Sequence, residues 1–367
     1  MPVDDIRAIE AEVQLLREGS SSTELLKALE KLFRLEYRSD PILAETHARE
    51  IINTASDSDL KADEALGYRL LGVSFWARGE YVEALSAYTE STRIYISIGD
   101  ELGVASVANN TGGIYLEQGL LDMALERILY ALRLKEKHGD ISSTACPYLN
   151  IGNIYRRLAN YRQALVCYRQ ALSVWQKAED EANIAGCYTN MGLVHAKVNA
   201  LGRAMKYHQK ALSIREEMGD LRGQAIALGN IAGVQQMQGE SKKALTSYRR
   251  SLEIQQRIGD SVDTARSMAY TGQLLTEMGR LEEAEQELTA ALELSRELGT
   301  KDLEANCHDS LSSLYEIKGD LRSALNSSRE RYRLIEEYMG ERSRDRLSRL
   351  QALFQISHRE DSDNPSI

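Results

Sequence analysis

The stretch LNIGNIYRRLANYRQAL, Leu149 to Leu165, is one of a series. Forty residues later the chain reads TNMGLVHAKVNALGRAM, and forty residues earlier it reads NNTGGIYLEQGLLDMAL. Extending the step in both directions gives seven copies without a gap, with Gly72, Gly112, Gly152, Gly192, Ala232, Gly272 and Ser312 in one column. A second column holds Ala84, Ala124, Ala164, Ala204, Ala244, Ala284 and Ala324 without exception. Between them stand Gly79, Gly119, Ala159, Asn199, Gly239, Gly279 and Gly319. A fourth column, Gly99, Gly139, Glu179, Gly219, Gly259 and Gly299, is usually followed by Asp.

Each column has a physical reading. Gly or Asn about seven residues past the first small residue suits a left-handed helix cap, where Cβ is penalised. It ends a first helix, A. The invariant Ala opens the contact face of a second helix, B, where a larger side chain would push the two apart. The Gly-Asp column ends helix B and offers Asp as the N-cap of the next helix A. Between these marks apolar residues recur at helical spacing, as in Ala164, Leu165, Tyr168, Ala171, Leu172 and Trp175. No strand-like alternation survives. Each unit is therefore expected to be a pair of antiparallel helices. A single hairpin cannot bury its own apolar face, so the units must stack.

The bulk numbers agree and exclude several classes. Of 367 residues only 4 are Pro, and 43% are hydrophobic and 27% charged, an ordinary globular balance rich in helix formers. A formal charge of -10 argues against nucleic acid and against anionic membrane surfaces as partners. The N-terminal MPVDDIRAIEAEV has no basic region followed by an apolar core, and no apolar run approaches a membrane span. A cytoplasmic protein is the expectation. Cys146, Cys167, Cys187 and Cys307 form no C-x-x-C pair and fall at small apolar positions, so all four are expected to be reduced core thiols. The six His are scattered, without a metal-binding or triad-like grouping, and no phosphate-binding glycine loop follows a strand. Neither an enzyme, nor a cofactor, nor a metal site is expected.

The small residue in helix A, Tyr three residues on, Gly at the turn and Ala-Leu opening helix B resemble the tetratricopeptide repeat over about Leu60 to Tyr338. The 40-residue step resembles its longer-helix subclass, found in kinesin light chains, Leu-Gly-Asn-repeat adaptors and bacterial signalling proteins. The resemblance implies an all-α, right-handed solenoid of about eight helix-turn-helix repeats with a continuous groove lined by the A helices. Residues 1–59 are expected to hold N-terminal helices and a degenerate capping repeat, with Asp40-Pro41 starting a helix. Seven repeats follow over 60–340, then an exit or capping helix at 341–356 and a polar, disordered tail at 357–367. In bacterial signalling proteins a helix like SRERYRLIEEYMGERSRDRLSRLQALFQ joins such arrays to cyclase or histidine kinase modules. Leu347, Leu350 and Phe354 have the spacing to pair with a second chain, which would make a homodimer.

The functional expectation is a protein- or peptide-binding scaffold or adaptor in bacterial-type signalling. The alternative is the sensory region of a longer signalling enzyme, acting through the C-terminal helix. Asn110, Asn150, Asn190 and Asn230 fill one helix A column. An Asn amide can both accept from and donate to an extended peptide backbone. The competing reading is that these Asn bridge adjacent helices. Asn109 and Asn153 share the same helix face and join the candidates, as do Arg157 and Lys197, a modest basic spot in an acidic chain. Tyr115, Tyr155, Tyr315 and His195, one column, and Tyr148 and Tyr188 are expected as packing residues.

Overall fold

The structure, a computed structural model, describes residues 3–17, 19, 22–37 and 40–340. The expected exit helix at 341–356, the tail at 357–367 and the dimer contact assigned to them lie outside the described residues. Three helices open the chain: α1 (Val3–Arg17), α2 (Ser22–Glu36) and α3 (Pro41–Asp57). Helices A and B then alternate. The A helices are α4 (Lys61–Ala77), α6 (Glu101–Glu117), α8 (Ala145–Arg157), α10 (Glu181–Lys197), α12 (Leu221–Met237), α14 (Ser261–Glu277) and α16 (Lys301–Lys318). The B helices are α5 (Tyr81–Ser97), α7 (Leu121–Lys137), α9 (Tyr161–Lys177), α11 (Leu201–Glu217), α13 (Ser241–Ile258), α15 (Leu281–Glu297) and α17 (residues 321–340). Among the described residues there is no strand, and no helix is long and apolar enough to cross a membrane.

The chain forms two compact units, one reaching to Val174 and the other beginning at Trp175. Each is a stack of helical hairpins, the all-α solenoid that the step of 40 predicts. In the first unit the core runs through Leu29, Ile51, Ala84, Tyr88, Ile114, Ile128 and Ile154. In the second it runs through Ala244, Tyr248, Leu274, Leu275, Leu288 and Leu314.

Small residues set the hairpins. A Cβ placed on Gly72 would stand 2.3 Å from the Tyr88 ring, on Gly152 2.5 Å from Tyr168, on Gly192 2.5 Å from His208, and on Gly112 2.4 Å from Ile128. The Ala column meets the same spot from the other side. The Ala124 carbonyl lies 3.2 Å from the Cβ position of Gly112, and the Ala284 carbonyl 3.3 Å from that of Gly272. Ser312 keeps this contact by hydrogen bonding, its Oγ donating to the Ala324 carbonyl at 3.0 Å. The far end of each hairpin has a second small contact that the repeat alignment had not singled out. Ala65, Ala105, Ala145, Ala185, Ala225, Ala265 and Ala305 are all buried. In two hairpins a helix B serine closes this contact: Ser91 and Ser251 donate to the carbonyls of Ala65 and Ala225 at 2.6 and 2.8 Å.

Caps and turns follow the expected chemistry. Asp100, Asp180, Asp220 and Asp260 each accept from the N–H three residues on, and Asp40 does the same ahead of Pro41. Ala159 and Asn199 take positive φ (55 and 57) where other copies have Gly, so the turn geometry outlasts the residue type. One copy differs. Asp140 caps a short turn at Ile141–Ser143, and α8 starts only at Ala145. Pro147 explains it: Pro has no N–H and is tolerated in the first turn of a helix, so the helix starts late enough to place it there.

Two expectations follow from this packing. Gly152→Ala should destabilise by roughly 1–3 kcal/mol, because the Tyr168 ring cannot retreat: it is fully buried and its hydroxyl is bound to Asn153 at 2.8 Å. The same change at Gly186, where an added Cβ meets nothing within 4 Å, should stabilise by about 0.5–1 kcal/mol, the ordinary gain of Ala over Gly in a helix. Urea unfolding of the two variants checks the opposite signs.

The second concerns His208, whose ring occupies the place that Tyr168 takes one repeat earlier. Burial lowers its pKa from 6.5 to about 4. The folded state thus binds the proton less readily than the unfolded chain, and stability is full above about pH 6.5 and is lost as pH falls toward 4. His208→Tyr should remove roughly 2–3 kcal/mol of the difference in unfolding free energy between pH 7 and pH 4.5. Equal pH dependence in wild type and variant would contradict this.

Candidate functional site

The A helices place the candidate residues on one helical face, at i, i+3, i+4 and i+7. In the first unit that face carries Asn109 and Asn110 on α6 and Asn150, Asn153 and Arg157 on α8. The Asn column does not behave as one set. Asn150 Nδ2 donates to Asn109 Oδ1 at 3.2 Å, joining α8 to α6. Asn153 is turned into its own hairpin and accepts from the Tyr168 hydroxyl at 2.8 Å. Asn110 sits beside the buried Tyr88 hydroxyl, which burial pushes well above the usual tyrosine range against the opposing pull of Arg69 and Asn110. Arg157 is exposed along its length, but its guanidinium donates to the Leu116 carbonyl one repeat back. These contacts are helix-bridging ones.

In the second unit the arrangement is open. Asn190 on α10 and Asn230 on α12 are half-buried, and neither side chain makes a hydrogen bond among the described residues. Lys197 is exposed and makes no ion pair among them. The face of α12 around Asn230 is unusual in its composition: Ile226, Gly229, Gly233 and Met237 share it. An added Cβ on Gly229 would meet only Ser251 Oγ at 3.9 Å, and on Gly233 only the Tyr248 hydroxyl at 3.7 Å. Packing therefore does not require either glycine. Ile226 and Met237 are 41% and 54% exposed, and Tyr270, which replaces Asn in the next copy, is 47% exposed and stacks on Tyr248 at 6.0 Å. The result is a bare backbone strip with an amide at its centre and apolar side chains at both ends. Gly229 and Gly233 escaped the sequence reading because they belong to no column. The signal was there: two glycines four apart inside a helix, where each costs about 1 kcal/mol relative to Ala.

The aromatic candidates pack as expected. His195 is buried and stacks on Tyr207 at 5.3 Å, Tyr115 is buried, and the Tyr315 and Tyr148 hydroxyls donate to Glu285 and Glu136, both at 3.0 Å. Tyr188 stacks on Tyr207 at 5.9 Å, with the Lys210 ammonium 5.0 Å from its ring centre. The cysteines need a correction. Cys167, Cys187 and Cys307 are buried, but Cys146 is exposed. It follows buried Ala145, and the 100° turn to the next helical position takes it out of the hairpin to the face that Asn150 shares one turn later.

The tetratricopeptide repeat signature matches residues 143–217, 223–297 and 272–337, together more than half of the chain. No curated protein matches it by overall sequence. Among solved structures, the chain is similar to a Rap protein complexed with Competence and Sporulation Factor (17% identity, TM-score 0.62), over 92% of this chain and 96% of that one. It is similar to the Rap conjugation gene regulator of the plasmid pLS20 in complex with the Phr* peptide (18% identity, TM-score 0.58), over 90% and 94%. It also resembles a signal transduction ATPase with numerous domains, bearing a tetratricopeptide repeat sensor, from Pyrococcus horikoshii (16% identity, TM-score 0.67), over 94% of this chain and 55% of that one. At these identities the likeness is one of fold. The family signature, the small-residue columns over seven copies and the helical hairpins that they produce agree: the chain belongs to the tetratricopeptide repeat family.

Proposed function

We propose that the chain is a peptide-binding scaffold whose A-helix face receives an extended segment of a partner, in a signalling role. The observation that carries this reading is the open pair Asn190 and Asn230, half-buried amides without a hydrogen bond among the described residues, one of them on the bare glycine strip of α12. An amide with both an acceptor and donors suits a peptide main chain, and an exposed helix backbone lets that chain approach closely. Ile226, Met237 and Tyr270 would supply apolar contact on either side. One of the proteins similar in fold holds the Phr* peptide in its structure and another the Competence and Sporulation Factor, which supports a binding use here. Lys197, Asn109, Asn110, Asn150, Asn153 and Arg157 frame or stiffen the face in this proposal. A second reading, the sensor region of a longer signalling protein, draws support from the Pyrococcus horikoshii ATPase, of which the matching array is 55%.

Asn150 is bonded to Asn109 whereas Asn190 and Asn230 make no hydrogen bond among the described residues, so paired variants test the proposal. Asn190→Ala with Asn230→Ala should cut retention of a randomised heptapeptide pool on immobilised protein severalfold and leave the melting midpoint unchanged. Asn109→Ala with Asn150→Ala should lower stability by about 1 kcal/mol, the net worth of one amide hydrogen bond. Retention as in wild type by the first pair would overturn the reading.

A further inference from the structure

The last described helix keeps open an apolar face that is closed in the hairpin before it. Leu321, Leu325, Ser328, Tyr332, Ile335 and Met339 recur along α17 at alternating steps of four and three. That spacing puts them in one stripe down the helix, about 27 Å long at 1.5 Å per residue. All but Ser328 are exposed, Leu321 and Tyr332 by 71% and 62%.

The inner side of α17 is formed by Ala324, Ser327 and Leu334, all buried. One 40-residue step earlier the stripe positions are covered as well. Leu292 and Ser295 on α15, the counterparts of Tyr332 and Ile335, are buried. Ser295 Oγ lies 3.9 Å from Cys307 Sγ on α16, the next helix A. The stripe is thus the surface on which a further helix would stack, and among the described residues none follows. A terminal repeat ordinarily turns a polar face outward. α17 has the residues for one, Arg322, Arg329, Arg333, Glu336 and Glu337, but they lie beside the stripe and leave it apolar. An apolar strip of this kind marks an interaction surface.

The stripe is complementary to itself. Laid antiparallel on a second copy, it sets Leu321 against Met339, Leu325 against Ile335 and Ser328 against Tyr332, with each pairing made twice. The one small residue meets the one aromatic ring. Charge matches in the same register, because Arg322 of one copy comes opposite Glu336 of the other at both ends of the contact. Neither residue is in an ion pair among the described residues, so both are available. Of the cations nearer the centre, Arg331 is already balanced by Asp309 at 3.2 Å, and Arg329 is exposed at the rim.

We infer that the outer stripe of α17 binds a second copy of this chain in an antiparallel, two-fold symmetric pair, which closes on itself and does not grow further. This contact is distinct from the one expected of residues 341–356, and it does not depend on the peptide-binding reading.

Sedimentation velocity of the full chain at micromolar concentration should show a dimer. Leu325→Glu with Tyr332→Glu should yield a monomer, weakening the dimer by roughly thirtyfold or more, as for the loss of central apolar anchors. Both residues are exposed in the single chain, so circular dichroism should be unchanged. Ile335→Gln gives the same comparison should that variant misfold. Arg322→Glu and Glu336→Arg should each weaken the dimer about fivefold by setting like charges opposite one another, and the two changes together should restore it.

A monomeric wild type overturns the inference, and so does a dimer that survives the changes at Leu325, Tyr332 and Ile335. A dimer lost only in Leu347→Glu with Leu350→Glu places the contact after residue 340 and overturns it too. Failure of the combined charge exchange to restore association overturns the antiparallel register.

Discussion

The fold depends on the near-contact of two helix backbones at one point in every hairpin. Gly72, Gly112, Gly152, Gly192 and Gly272 each lie under a bulky side chain of helix B, at distances that leave no room for a methyl group. The Ala column closes the same contact from helix B, and the Ala65 to Ala305 column does so at the other end of the hairpin. Two close contacts define a line, so each pair of helices is fixed in spacing and in angle. Stacked hairpins then present their A helices on a repeating face, and a residue type at one helical position recurs along that face.

Much of this was legible because the constraint acts on residue size, and size shows in a single sequence once the step of 40 is found. The turns were legible for the same reason, through the penalty on Cβ at positive φ, and the caps through the Asp that follows them. The Ala65 column went unread because Ala is also the commonest helix former, so an invariant Ala does not announce a contact. Cys146 was misread because a small apolar residue beside a buried Ala looks like core until the 100° rotation between neighbours is applied. The late start of α8 was foreseeable from Pro147, but the regular step of 40 hid a local exception in this one copy.

The candidate site was legible as a column and not as a set of roles. Asn110, Asn150, Asn190 and Asn230 are equivalent in sequence, yet one lies beside a buried tyrosine, one bridges two helices and two are open. Those roles depend on neighbours in adjacent repeats: Asn109 stands beside one, whereas Gly229 stands beside another. A repeat protein diversifies in this way. The small residues hold the scaffold constant, and the residues on the A face vary from copy to copy without disturbing it. The buried Lys135 of the first unit belongs to the same logic, since it replaces a position that is Tyr95 one repeat before and Trp175 one repeat after.

Amide hydrogen exchange on the unmodified chain tests the central claim most directly, because the claim is that stability is organised hairpin by hairpin around the small contacts. The slowest-exchanging amides should cluster around Gly72, Gly112, Gly152, Gly192 and Gly272 and their B-helix partners, with protection rising and falling at the 40-residue step. Protection that follows helix length or overall burial, with no minimum at the turns between repeats and no maximum at these glycines, would contradict it.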